Sequence, residues 1–216
     1  MRRLALFALL LPTLAHAAPN AVPRDLFTPT SQRLIELCTR AQKTASDVTL
    51  DSLTRTIQQV DDGGVGTLVY DSGGTYIRLQ SSAVTAYTLC ATRTKRTGHT
   101  PRRAELAGLP VLVSITGKAA TLTQARAWRA FMVFLDRNGR ELGRLKPGRS
   151  SVGDAVLWTH ECKATTCGWH GQNTYSFTPT PAARKAFARS TSLRIVATFG
   201  QRVVKVDLPL QPIGEV

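Results

Sequence analysis

Five consecutive apolar residues, Phe131-Met132-Val133-Phe134-Leu135, constrain this chain more than any other stretch. A strand sends alternate side chains to opposite faces, so an apolar run without alternation needs cover on both. Five residues are too few to read as a helix. Asp136-Arg137-Asn138-Gly139 follows, and Asn-Gly between two strand-like runs is a hairpin signal. Glu141 to Lys146 reads as the return strand. The sequence predicts a hairpin here, at the centre of a β-domain.

Away from that centre, the first 17 residues read as a secretory leader: Arg2 and Arg3, an apolar middle over Leu4 to Leu14, then Ala15-His16-Ala17 as the cleavage signal. The middle is too short to span a membrane, which takes about 20 residues. Removing the leader leaves 199 residues and takes the formal charge from +14 to +12. The expected location is extracytoplasmic, periplasmic or secreted, and 21 Arg against 7 Lys points to a GC-rich bacterial genome. The charge is uneven. Residues 24–97 carry a net +2 and residues 98–216 a net +10. Such asymmetry suggests an anionic partner, with general solubility as the plain alternative.

Four cysteines in an exported chain imply two disulfides. Cys162 and Cys167 flank a four-residue connection between strand-like runs, close enough to bridge if those runs pair. Cys38 is then left for Cys90. His160, Cys162, Cys167 and His170 also have the chemistry of a zinc set. Export favours the disulfide, which would consume both thiolates.

In chain order, residues 18–27 are expected to form a loose arm. A small disulfide-closed α+β unit is expected over 28–91. Its first helix would start with Thr28 as cap and Pro29 as the first helical residue. Leu34, Leu37, Cys38, Ala41 and Ala45 form its buried stripe. A second, weaker stripe is Leu50, Leu53, Ile57 and Val60. A hairpin over 66–80 turns at Asp71-Ser72-Gly73-Gly74. Residues 82–91 fit helix or strand, with Val84, Tyr87 and Cys90 favouring helix. The charged span 92–108 reads as a basic linker. From 109 to 210 short runs split by turn residues predict a β-sandwich-like domain with one inserted helix, capped by Thr180 and opened by Pro181. Ala183 and Phe187 would face inward there, and Arg184, Lys185 and Arg189 outward. Residues 211–216 are a tail. The expected fold class is α+β, mainly β.

Chemistry-bearing motifs are few. Asp71-Ser72-Gly73 behind Leu68-Val69-Tyr70 resembles the catalytic turn of aspartic peptidases over about six residues. That resemblance implies a second carboxylate sharing the proton. The chain has one such motif, so a homodimer would have to supply the other, and the same residues make an ordinary hairpin turn. G-x-S-x-G, P-loop and H-E-x-x-H patterns do not occur. No cofactor, metal or catalytic residue is expected. The expectation is a non-enzymatic binding module whose basic C-terminal part engages an anionic envelope polymer or another envelope protein. Alternatives are an exported nucleic-acid-binding protein and a hydrolase. Candidate anion-binding residues are Arg102, Arg103, Arg140, Arg144, Arg184 and Arg189. Trp158, Trp169, His170 and Tyr175 gather near the Cys162–Cys167 loop, with Trp169 and His170 as the candidates for stacking.

Overall fold

The computed structural model describes residues 21–47, 67–72, 74–152, 156–163, 166–199 and 201–212. At 47, 67, 150–152, 156–163, 166–167 and 170 it describes backbone alone. The chain is mixed α+β with more strand than helix. Two antiparallel sheets carry the architecture. The larger runs β1 (Thr67–Ser72), β2 (Thr75–Gln80), β3 (Val111–Ala119), β8 (Thr166–Phe177), β6 (Arg149–Val152), with β7 (Val156–Lys163) also paired to β8. The smaller runs β10 (Arg202–Pro209), β9 (Ser192–Phe199), β4 (Arg129–Leu135), β5 (Glu141–Leu145). Ile77, Val113, Ile115 and Phe177 from the first share one core with Met132, Phe134, Ile195 and Leu208 from the second. Strands β2, β3, β4, β9 and β10 give apolar alternate positions to that shared core.

The expected central hairpin is β4–β5. Asp136 Oδ1 accepts the N–H groups of Asn138 and Arg140, and Gly139 sits at φ 74°, where a side chain would be strained. Met132 and Phe134 face the core, while Val133 and Leu135 are buried on the other face with Val196. The cover on that outer face is charged. Val133 lies directly between Arg144 and Arg194 on the flanking strands. The Arg144 guanidinium stands 4.8 Å from the Phe131 ring centre. Arg194 holds Asp207 through two bonds of 2.6 and 2.7 Å. Long basic side chains lay their methylenes over apolar surface and keep their heads in water. These side chains give cover to a strip of the outer face.

The described part of the expected loose arm is docked. Val22 bridges to Leu210, its N–H donating to Pro209 O at 2.8 Å. Arg24 donates to Gln211 O and Ser190 O at 2.7 and 2.8 Å, and partial burial lowers its pKa. Leu26 and Phe27 enter the core, where Phe27 meets Phe134 and Phe187 edge-on. Two adjacent large apolar side chains gain more from that core than from solvent, which is what the arm reading left out. Their burial also delays the first helix. α1 is Ser31–Asp47, with Thr30 rather than Thr28 accepting an N–H, that of Arg33.

α1 packs along α2 (Ser82–Thr97) through Leu34, Leu37, Ala41, Ala86, Tyr87 and Ala91. Cys38 and Cys90 are disulfide-bonded across this pair, with Cα atoms 5.3 Å apart. The ambiguous span 82–91 is helix, as the three-residue spacing favoured. It continues through the first part of the expected linker. Arg93, Lys95 and Arg96 are good helix formers, and Lys95 and Arg96 in the last turn complement the negative end of the helix dipole. Gly98 at φ 72° then ends the helix. The short helix α3 (Arg103–Leu106) follows and returns Leu106 to the helical cluster. The 92–108 linker is thereby corrected. β2 pairs with β3 directly across it, so the N-terminal hairpin and the later strands form one sheet. Charge in a segment marks exposure, and one face of a helix supplies that as well as a linker does. The second expected helix stripe, at 50–60, lies outside the described residues.

The remaining helices are α4 (Leu122–Ala125) and α5 (Pro181–Arg189). α5 starts as expected, Thr180 accepting the Ala183 N–H, with Ala183 and Phe187 buried. Near α4 two backbones meet: a side chain at Gly171 would collide with Ala125 O. Asn173 donates to the same carbonyl at 2.9 Å. Tyr175 donates its hydroxyl to Trp128 O, and burial raises its pKa to about 12, against a lowering influence from Arg129.

Candidate anion-binding surface

The site is assembled by one docking event. β5 is an edge strand of the smaller sheet, and α5 packs against it. The approach is close: a Cβ at Gly143 would stand 2.8 Å from Ala186 Cβ, so β5 needs glycine there. At the far end Thr191 donates its N–H to Leu135 O, which brings the C-terminus of α5 beside the β4–β5 turn. Segments about 40 residues apart in the chain become neighbours.

Arg137 and Arg140 in the turn, Lys146 after β5, and Arg184, Lys185 and Arg189 on α5 are all exposed. Arg149 opens β6, where Gly148 donates to Ser176 O and passes the chain to the other sheet. α5 contains no acidic residue. The two carboxylates on the hairpin are both engaged. Asp136 accepts from its own turn, and Glu141 holds Arg144 at 2.9 and 3.2 Å. Glu141 raises the pKa of Arg144, chiefly through the side-chain hydrogen bond. Among the described residues the local result is a basic surface with no uncommitted acid. It suits distributed contacts with many anionic groups, each screened by salt.

The six candidate arginines divide. Arg140, Arg184 and Arg189 are exposed on the two segments that this packing joins. Arg144 lies on the same strand but on the outer face, opposite Val133 and over Phe131. Arg102 and Arg103 belong to α3, in the helical layer. There Glu105 accepts the Arg102 N–H and pairs with Arg93, and those two bonds, in that order, lower its pKa. Arg137, Lys146, Arg149 and Lys185 were outside the candidate set. Their signal was present in the sequence as charge, but nothing in the spacing distinguished them from other exposed basic residues.

The aromatic candidates do not form a patch that the structure describes. Trp169 is half-buried, and shares the core-side face of β8 with Gly171, Asn173 and Tyr175. Tyr175 is a core residue. The side chains of His170, Trp158, His160, Cys162 and Cys167 lie outside the described residues. The backbone register sets Lys163 opposite Thr166, one step nearer the turn than the two cysteines, which agrees with a hairpin between them. Asp71 is exposed on β1, opposite Tyr76. Among the described residues no group of three or more His, Cys, Asp or Glu side chains could hold a metal, and no helix is long and apolar enough to cross a membrane. Comparison with protein families, with curated proteins and with solved structures gives no match.

Proposed function

We propose that this protein is an exported, non-enzymatic binding module that holds an anionic polymer of the cell envelope against the α5–β5 surface. The observation that supports the reading most is the acid-free helix α5 lying across β5, which joins two basic segments into one. Export is supported by the leader-like start of the sequence and is compatible with the Cys38–Cys90 disulfide.

The test is a binding titration against a polyanion over a salt series. Arg184→Glu with Arg189→Glu should weaken binding much more than Lys43→Glu with Arg96→Glu, an equal charge change on the exposed helical layer. Binding should also fall steeply with salt, since exposed charges are screened beyond about 8 Å at physiological ionic strength. Equal losses from the two pairs would leave only a generally basic protein. Equal affinity for duplex DNA and for an envelope polymer, with the same salt slope, would favour nucleic acid instead.

A further inference from the structure

Among the described residues, four buried side-chain polar atoms have no hydrogen-bond partner in the protein: Thr75 Oγ1, Thr94 Oγ1, Trp128 Nε1 and Asn173 Oδ1. Buried polar groups are nearly always paired, so each such atom calls for a cause. Three of the four belong to one corner of the core. Thr75, Gly117 and Gly171 stand directly opposite one another on β2, β3 and β8. Side chains placed in this way on neighbouring strands start about 5 Å apart. Thr75 is fully buried, on the core side of that row. The Trp128 indole covers Gly117, with Nε1 3.2 Å from where a Cβ would stand. Asn173, buried on the same face of β8, reaches back over Gly171, because Ala125 O, which accepts from its Nδ2, sits there. That bond fixes the amide: Nδ2 faces the carbonyl, and Oδ1 is the end left to accept. An indole donor, an amide acceptor and a hydroxyl that can do either therefore gather about the Gly117–Gly171 pair, and none of them bonds to another.

We infer that this corner binds an internal water molecule. The water accepts from Trp128 Nε1–H and donates to Asn173 Oδ1 and Thr75 Oγ1. That makes three bonds, about the usual number for a buried water. The indole over Gly117 and the Ala125 carbonyl over Gly171 crowd the site, which suits a ligand as small as water. The bridge also joins the two sheets. Thr75 and Asn173 belong to the larger one, and Trp128 leads straight into β4 of the smaller. Asn173 and Tyr175 already bind the backbone of this lead-in segment to β8, through Ala125 O and Trp128 O. The water does the same for the indole, and such a bridge is nearly as favourable in enthalpy as a direct hydrogen bond.

Oxygen-17 relaxation dispersion of the solvent counts waters held longer than the protein takes to tumble, and protein hydroxyls do not contribute to it. In the full mature chain, Thr75→Val keeps the side-chain volume but removes one partner, and should lower that count by about one. Thr75→Ser should leave it unchanged, and so should Thr94→Val, which removes the unpartnered hydroxyl on α2. The Trp128 indole N–H, identified by its loss in Trp128→Phe, should show a cross-peak to water of opposite sign in the laboratory and rotating frames. That sign marks a held molecule rather than proton exchange, and Thr75→Val should abolish the cross-peak. An unchanged count in Thr75→Val, or an equal fall in Thr94→Val, overturns the site. The cross-peak in the unaltered protein needs no variant, so its absence overturns the site even if Thr75→Val fails to fold.

Discussion

Phe134→Ala should be among the costliest single substitutions in this protein. Phe134 is fully buried on the core side of β4. Its ring meets Phe27 at 6.2 Å and Phe187 at 5.5 Å, both edge-on. Those partners come from the N-terminal segment and from α5, so three elements converge on one ring. Emptying a buried Phe site costs about 3–5 kcal/mol. Each lost edge contact adds about 0.5–1.5 kcal/mol beyond area, which puts the expected value in the upper half of that range. Against a total stability of about 5–15 kcal/mol this is about a quarter or more. In a chain of this size it corresponds to a fall in Tm of about 8–20 °C. Phe131→Ala provides the internal comparison. Phe131 is half-buried on the outer face, with Arg144 above it, and should cost about 1–2 kcal/mol. Urea denaturation of both variants, with m unchanged, measures the difference. Equal losses would mean that the two faces are equally covered, and a smaller loss at Phe134 would refute the shared core.

Replacing Cys38 and Cys90 by serine should destabilise the fold by about 4 kcal/mol, from the loop entropy of a 52-residue separation. Peptide mapping without reduction should recover Cys162 joined to Cys167; Cys38 joined to either of those would contradict the structure. Tyr175 ionises in the unfolded chain near 10 and in the folded chain at about 12, so its contribution is complete below pH 10 and is lost as pH rises from there toward 12. Tyr175→Phe should remove that alkaline slope, and an ultraviolet titration in which every tyrosine ionises near 10 would disprove it. Gly143→Ala should push α5 off β5 at a cost of about 1–3 kcal/mol. It should also weaken polyanion binding without altering charge; a neutral effect on both would separate the helix from the site.

Local signals carried much of this fold. The five-residue apolar run with Asn138-Gly139 specified the central hairpin. The stripe Leu34–Leu37–Cys38–Ala41 specified α1, and Thr180-Pro181 specified the start of α5. In each case neighbours in sequence are neighbours in space, so periodicity and turn chemistry suffice. Charge in a run specified exposure but not its form, and so the linker at 92–108 proved to be the end of one helix and all of another. The docking of Leu26 and Phe27, the pairing of β2 with β3, and the division of six arginines among three surfaces lay beyond the sequence. Each depends on contacts between distant segments, and a one-dimensional pattern holds no distance between them. The basic surface shows this most directly: Arg140 and Arg184 were both legible as exposed cations, but only the packing of α5 on Gly143 brought their two segments together.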